Sequence, residues 1–177
     1  MPRLSDGGEL GHGYFMPHRR TVLLIDDGED EKILFERAWK CAGVSFELQC
    51  VGDGDSALAY LSGSGVYGDR GRFPFPDLAI LDLNMPGLDG FDVLAWMRQQ
   101  PICKDLPVLV LTSSSCEADV RRAYGLRASS YLVKPMRLAD LSKMIKLIDD
   151  FWLKACLLPS WRTWSSTPAC AGFRMEE

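Results

Sequence analysis

Five short apolar, partly β-branched runs constrain this chain more than any other feature: Thr21 to Ile25, Phe46 to Val51, Leu78 to Leu83, Val108 to Thr112 and Tyr131 to Val133. Thr21-Val-Leu-Leu-Ile25 has the pattern of a strand covered on both faces in a parallel sheet. Segments of helical period lie between the runs. Ile33, Phe35, Ala38, Trp39 and Ala42 precede a stop at Gly43; Ala57, Leu58 and Leu61 precede Gly63; Phe91, Leu94, Ala95 and Arg98 lead into Pro101. Two more helical patterns follow, Ala118 to Tyr124 and Leu138 to Trp152. Parallel strands need crossover helices, and those helices cover both faces of the sheet. The expected fold class is therefore α/β: a doubly wound five-stranded parallel sheet flanked by five helices. Chemistry in such a fold sits outside the carboxyl ends of the strands, where strand order reverses.

Three segments fall outside the rhythm. Residues 1–20 read as a flexible leader. Ser62 to Pro76 is too rich in Gly and Pro for a regular element, and its length marks a mobile or functional loop. Beyond a folded unit at 21–154, residues 155–177 carry Pro159, Trp161, Trp164, Pro168 and Phe173, an aromatic tail too short to be an independent domain. Composition excludes several classes. A net charge of -4 leaves no global positive field for nucleic acid or anionic lipid. No apolar stretch approaches the ~20 residues that span a bilayer, and Val22 to Ile25 stops at two aspartates, so no signal-peptide core is present. Six cysteines without a C-x-x-C pair fit reduced thiols, and the expected location is cytoplasmic.

The strand ends carry the chemistry. The first run ends in Asp26-Asp27, the third in Asp82, the fourth in Thr112, and the fifth is followed by Lys134-Pro135. A parallel sheet gathers these at one edge. Carboxylates brought together repel unless a cation is shared or some of them hold their protons. Mg²⁺ suits such oxygen ligands, since it takes one or two carboxylates, keeps waters and accepts a phosphoryl oxygen. With a lysine and a hydroxyl alongside, the set reads as phosphoryl chemistry on an aspartate.

Leu-Leu-Ile-Asp-Asp at 23–27, Leu-Asp-Leu-Asn-Met-Pro-Gly-Leu-Asp-Gly at 81–90, Leu-Thr-Ser at 111–113 and Tyr-Leu-Val-Lys-Pro at 131–135 resemble the receiver domain of two-component response regulators, in order and at family-like spacing over Thr21 to Trp152. A narrower resemblance is to the single-domain receivers that partner phytochrome-type histidine kinases. It rests on the long loop before Asp77, the Asp-x-x-Asp at 27–30, and Ala-Tyr-Gly-Leu-Arg-Ala-Ser-Ser-Tyr before Lys134. The resemblance implies a flavodoxin-like receiver fold with Asp82 as phosphoacceptor from a sensor kinase, and Mg²⁺ or Mn²⁺ held by Asp27, Asp82 and the backbone carbonyl of Asn84, with Asp26 acting through water. It implies that Lys134 pairs with a phosphoryl oxygen, that Thr112 swings toward it and Tyr131 turns inward, and that Lys134-Pro135 is a cis peptide. The implied protein works without an attached effector domain, binding a downstream protein when phosphorylated. Gly28 departs from the family's more frequent polar residue at that position.

Other readings of the same residues stay open. Asp26 and Asp27 can cap the first helix; Thr112 and Tyr131 can be packing residues and Lys134 a solvated charge. Gly52-Asp-Gly-Asp-Ser-Ala57 formally matches a dinucleotide fingerprint, although its two aspartates would repel a pyrophosphate and a helix cap accounts for it better. Arg121, Arg122, Arg127, Arg137, Lys143 and Lys146 make the last two helices basic, either as a solvated face or as a surface for a homodimer or target. A constitutive protein-binding module and an aspartate-nucleophile phosphohydrolase are the competing functions. The second wants an acid two residues past the nucleophile, where this chain has Asn84.

Overall fold

The computed structural model describes residues 19–159. The leader to residue 18, and Trp161, Trp164, Pro168, Cys170 and Phe173 of the tail, lie outside them. Five parallel strands, β1 (Thr21–Ile25), β2 (Glu47–Val51), β3 (Leu78–Leu81), β4 (Val108–Thr112) and β5 (Ser130–Val133), form one sheet in the order β2-β1-β3-β4-β5. The helices are α1 (Glu29–Ala42), α2 (Gly54–Ser62), α3 (Gly90–Gln99), α4 (Glu117–Gly125) and α5 (Leu138–Ile148). This is the flavodoxin-like doubly wound order, and its reversal point lies between β1 and β3.

The strands' two-residue period divides the interior into two cores. Leu23, Ile25, Ala79, Leu81 and Val110 face α2, α3 and α4 through Ala57, Leu61, Phe91, Leu94, Met97 and Ala123. Their neighbours Val22, Leu24, Leu78, Ile80, Leu109 and Leu111 face α1 and α5 through Phe35, Ala38, Leu141 and Ile145. The three central strands are buried throughout, whereas edge strands β2 and β5 are mostly half-buried. That difference explains why the central runs read as continuous apolar stretches and Glu47-Leu-Gln-Cys-Val51 does not.

The last helical pattern differs from expectation at its end. Regular α-helix stops at Ile148, and residues Asp149–Ala155 continue as a wider π-type turn whose last bond runs from Cys156 N–H to Phe151 O at 3.0 Å.

The Gly- and Pro-rich segment after α2 is a packed structure. A single 3-10 turn, Gly65–Gly68, brings Tyr67 against Tyr60, with ring centroids 5.2 Å apart, and Phe73 against Tyr67 at 5.0 Å. Arg70 donates to the carbonyls of Tyr60 (2.8 Å) and Leu61 (2.9 Å), which are among the orphan acceptors at the end of α2. The Tyr60 hydroxyl donates to Pro74 O at 2.7 Å and pins the loop's return. Low local propensity is overridden here by an aromatic cluster whose members are 7 and 13 residues from Tyr60.

The candidate dinucleotide turn is filled from within. Asp53 accepts the Ser56 amide as an N-cap, and a Cβ on Gly54 would lie 2.5 Å from Leu88 O. Gly54 serves the close approach of α2 to the loop before α3.

Candidate functional site: the carboxyl edge of the sheet

Pairing register fixes where the reactive side chains emerge. Ile25 lies opposite both Val51 and Leu81, and Thr112 opposite Val133. One residue further, Asp26 N–H donates to Val51 O (3.2 Å), Asp82 N–H to Ile25 O (2.9 Å) and Lys134 N–H to Thr112 O (2.8 Å). The sheet ladder therefore carries Asp26, Asp82 and Lys134 to one edge on backbone atoms alone.

The side chains meet there. Lys134 Nζ donates to Asp82 Oδ2 at 2.6 Å and to Asp26 Oδ2 at 2.8 Å. All three side chains are largely enclosed, at 18% exposure for Lys134, 5% for Asp26 and 8% for Asp82. Burial pushes the Asp26 carboxyl above its usual value, against the pull of Lys134. Burial also pulls on Lys134, but hydrogen bonds to the two carboxylates outweigh it and hold the ammonium above its usual value. A buried charged pair of this kind is weak evidence for stability, because desolvation can exceed the attraction. Its retention at the sheet's reversal point argues for chemistry.

Capping explains only part of the acidic pair. Asp26 Oδ1 does accept Gly28 N–H at 3.0 Å, yet Gly28, with no side-chain bond, is the residue at the head of α1. Carboxylate oxygens of Asp26, Asp27 and Asp82 lie within 4.8 Å of one another. Three oxygen donors that close, two of them buried, fit a small hard divalent cation.

Thr112 is fully buried, and its Oγ1 accepts from Asn84 Nδ2 at 3.2 Å and, at the limit of reach, from Ser114 N–H at 3.5 Å. Tyr131 is half-buried, and its hydroxyl donates to Ser114 O at 3.1 Å; burial pushes its phenol pKa above the usual value. Its ring thus already faces the loop between β4 and α4. Ser114 in turn donates from Oγ to Asp119 Oδ2 at 2.6 Å and accepts Cys116 N–H, fastening the head of α4.

One expectation is corrected: the Lys134-Pro135 peptide is trans, since no described peptide is cis. The parallel pairing through Lys134 N–H already sets the backbone at this residue, and from there the long side chain reaches both carboxylates without the costlier isomer. Two contributors were missed from sequence. Gly90 heads α3 against the loop that begins at Asp82, where a Cβ would stand 2.1 Å from Asp82 O; its place at the end of the 81–90 motif was the available signal. Ser114 as a hub for Thr112, Tyr131 and α4 had no signal beyond its adjacency to Thr112.

Comparison with known proteins agrees with this geometry. The response regulator receiver domain family matches residues 22–146. The chain belongs to that family. It is 39% identical over 141 residues to the response regulator Rcp1 of Synechocystis, covering 80% of this chain and 94% of Rcp1. Among solved structures, the phosphorylated cyanobacterial phytochrome response regulator RcpA superposes with a TM-score of 0.74 at 36% identity, covering 81% of this chain and all of RcpA. RPA3017, from red-light signalling in R. palustris, gives 0.76 at 35% identity, with 80% and 99% covered. The Mn²⁺-bound form of Rcp1 superposes at 0.70, covering 80% and 99%. The chain is thus a two-component response regulator receiver of the flavodoxin-like fold, similar to phytochrome response regulators, and its acidic cluster could hold a metal ion. No helix among the described residues is long and apolar enough to cross a membrane.

Proposed function

We propose that this receiver takes a phosphoryl group from the phosphohistidine of a phytochrome-type sensor kinase onto Asp82, and that the switched form binds a downstream protein. The observation that carries the reading is the pair of contacts from Lys134 Nζ to Asp82 and Asp26 beside Asp27, an arrangement with little purpose in packing. An Asp82 carboxylate oxygen attacks phosphorus in line, the bond to the donor nitrogen breaks, and an acyl phosphate forms. Lys134, already at 2.6 Å, transfers its attention from the carboxylate to a phosphoryl oxygen as a mobile point charge. Asp27, Asp82 and the Asn84 backbone carbonyl would hold Mg²⁺ or Mn²⁺, with Asp26 acting through water. When bound, the cation neutralises charge that builds on the phosphoryl oxygens.

Thr112 and Tyr131 read the event out, the first by a hydroxyl bond to the phosphoryl group and the second through its bond to Ser114 O, which moves the head of α4. Asn84 has no acidic proton to give a leaving group and is engaged with Thr112, which disfavours the phosphohydrolase reading. Self-catalysed phosphorylation and dephosphorylation are the only catalysis proposed.

We assign the folded unit to 21–154 and the location to the cytoplasm, where a sensor's kinase domain is met. A homodimer through the last helices is supported by an apolar groove lined by Leu132, Met144, Leu147, Phe151 and Trp152, in which Leu147 is 69% and Phe151 59% exposed. The test of the main reading is incubation with Mg²⁺ and acetyl phosphate. The natural sequence should label and Asp82→Asn should not; equal labelling of both sinks the assignment, and a phosphoryl mimic that leaves partner affinity unchanged favours the constitutive module.

A further inference from the structure

The Asn84 side chain has no part in the phosphotransfer described above, yet it makes a specific interior contact. Its backbone N–H donates to Asp82 Oδ1 at 3.3 Å while its carboxamide donates from Nδ2 to Thr112 Oγ1 at 3.2 Å. One residue therefore touches both the nucleophile and the hydroxyl meant to meet the phosphoryl group. Asn84 is itself exposed, so water would satisfy its amide without cost; it is turned instead onto a hydroxyl at 0% exposure.

A hydroxyl has two acceptor lone pairs and one proton to give. At Thr112 both lone pairs face N–H donors, the Asn84 amide and, more distantly, Ser114 N–H at 3.5 Å. The proton is what remains. We infer that the Asn84 carboxamide is a positioning residue for phosphoryl transfer, which holds Thr112 so that its O–H is offered as a donor to the arriving phosphoryl oxygen. This rests on the receiver reading given under the proposed function. No proton leaves Thr112: the donor's bond to phosphorus breaks, the bond from Asp82 oxygen forms, and the O–H only hydrogen-bonds the oxygen on which charge grows. A donor aimed in advance lowers the barrier because it needs no reorientation during transfer.

The inference makes Asn84 act through Thr112 and not directly on phosphorus or water, which a double-mutant cycle separates. The rate of labelling by acetyl phosphate with Mg²⁺ is measured for Asn84→Ala in three backgrounds: Thr112 intact, Thr112→Ser, which keeps the hydroxyl, and Thr112→Val, which keeps the shape without it. Loss of one aimed hydrogen bond should slow labelling about fivefold with threonine or serine present. With Thr112→Val, Asn84→Ala should change the rate by less than about twofold. Asn84→Asp, whose carboxylate accepts the Thr112 proton, should slow labelling at saturating Mg²⁺ at least as much as the alanine. An Asn84→Ala effect of equal size in the serine and valine backgrounds overturns the inference and leaves the receiver reading intact. Failure of the natural sequence to label at all overturns both.

Discussion

A methyl group on Gly90 would stand 2.1 Å from the carbonyl oxygen of Asp82 and 2.7 Å from Leu83 Cα. Both obstacles are backbone, so neither can rotate away as a side chain would. Gly90 N–H also donates to Leu83 O at 3.1 Å, and Asp89 caps the same helix by accepting Asp92 N–H, so α3 is seated against the loop that begins with Asp82. Gly90→Ala must push α3 or the loop aside. The expected result is about 2–3 kcal/mol of lost stability by urea denaturation, together with slower labelling of Asp82. Full stability with unchanged labelling would show that the helix head is not held where the structure has it.

Lys134 should show opposite effects on metal and on phosphoryl. Lys134→Ala strips the positive charge from beside Asp26 and Asp82, leaving two buried carboxylates unpaired. Without divalent cation the protein should lose about 3 kcal/mol, and Mg²⁺ should restore much of it, because the cation now meets uncompensated charge. Mg²⁺ affinity should rise, while the labelling rate falls on the order of 100-fold through loss of a phosphoryl contact. Calorimetric titration and timed labelling separate the two.

The pH dependence of metal-free protein follows from Asp26 and Lys134. Burial holds the folded Asp26 carboxyl above 3.8, so the folded chain binds a proton that the unfolded chain releases in the window just above that value. Its contribution to stability is complete below 3.8 and is lost as pH rises through the folded value. Lys134, raised above 10.5, contributes fully below that pH and loses its contribution as pH rises through its own folded value. Asp26→Asn removes the first component. Its stability relative to the natural sequence should therefore be greatest near neutral pH and shrink as pH falls toward 4. Parallel denaturation curves at all pH values would contradict the burial of this carboxyl.

Arg70 should matter more than its place in a Gly-rich loop suggests. Arg70→Ala takes a donor from the carbonyls of Leu61 and of Tyr60, the latter keeping its bond from Gly63 N–H at 3.2 Å, and removes a cation 6.0 Å from the Tyr60 ring centroid and 5.7 Å from that of Phe75. A loss of about 2 kcal/mol is expected from the two missing hydrogen bonds, with faster amide exchange at the end of α2. Labelling of Asp82 should be unaffected, because the loop leads into the amino end of β3 and the site lies at the other end.

How far the sequence carried depended on whether a feature is set by the chain's own periodicity or by torsions between distant elements. The apolar period placed all five strands, missing only the ragged ends: β2 starts at Glu47, β3 stops at Leu81 and β5 starts at Ser130. Asp26, Asp27, Asp82, Thr112 and Lys134 were legible because a parallel register delivers strand ends to one edge whatever their side chains do. Tyr131's bond to Ser114 and Asn84's bond to Thr112 were not, since each depends on one rotamer meeting another across 17 and 28 residues. The trans peptide at Pro135 and the π-type turn after Ile148 are likewise backbone choices with small energy differences, which composition does not reveal. The packing of the segment 62–76 was hidden for a related reason: Arg70 and three aromatics act together, and no single residue among them signals order.

Strand β3 is four residues long, so the aromatic knot at its entrance and Asp82 at its exit are separated by roughly 10 Å of rigid backbone. Between them run two ladders of parallel hydrogen bonds, to β1 and to β4, that tolerate little give. The molecule accordingly has one edge for reactivity and another for elaboration. A peptide spliced after Gly65, whose Cβ direction is open, would lengthen the second edge while the first kept its tuning. For a protein engineer that makes the 3-10 turn a port for a reporter group far from Asp82.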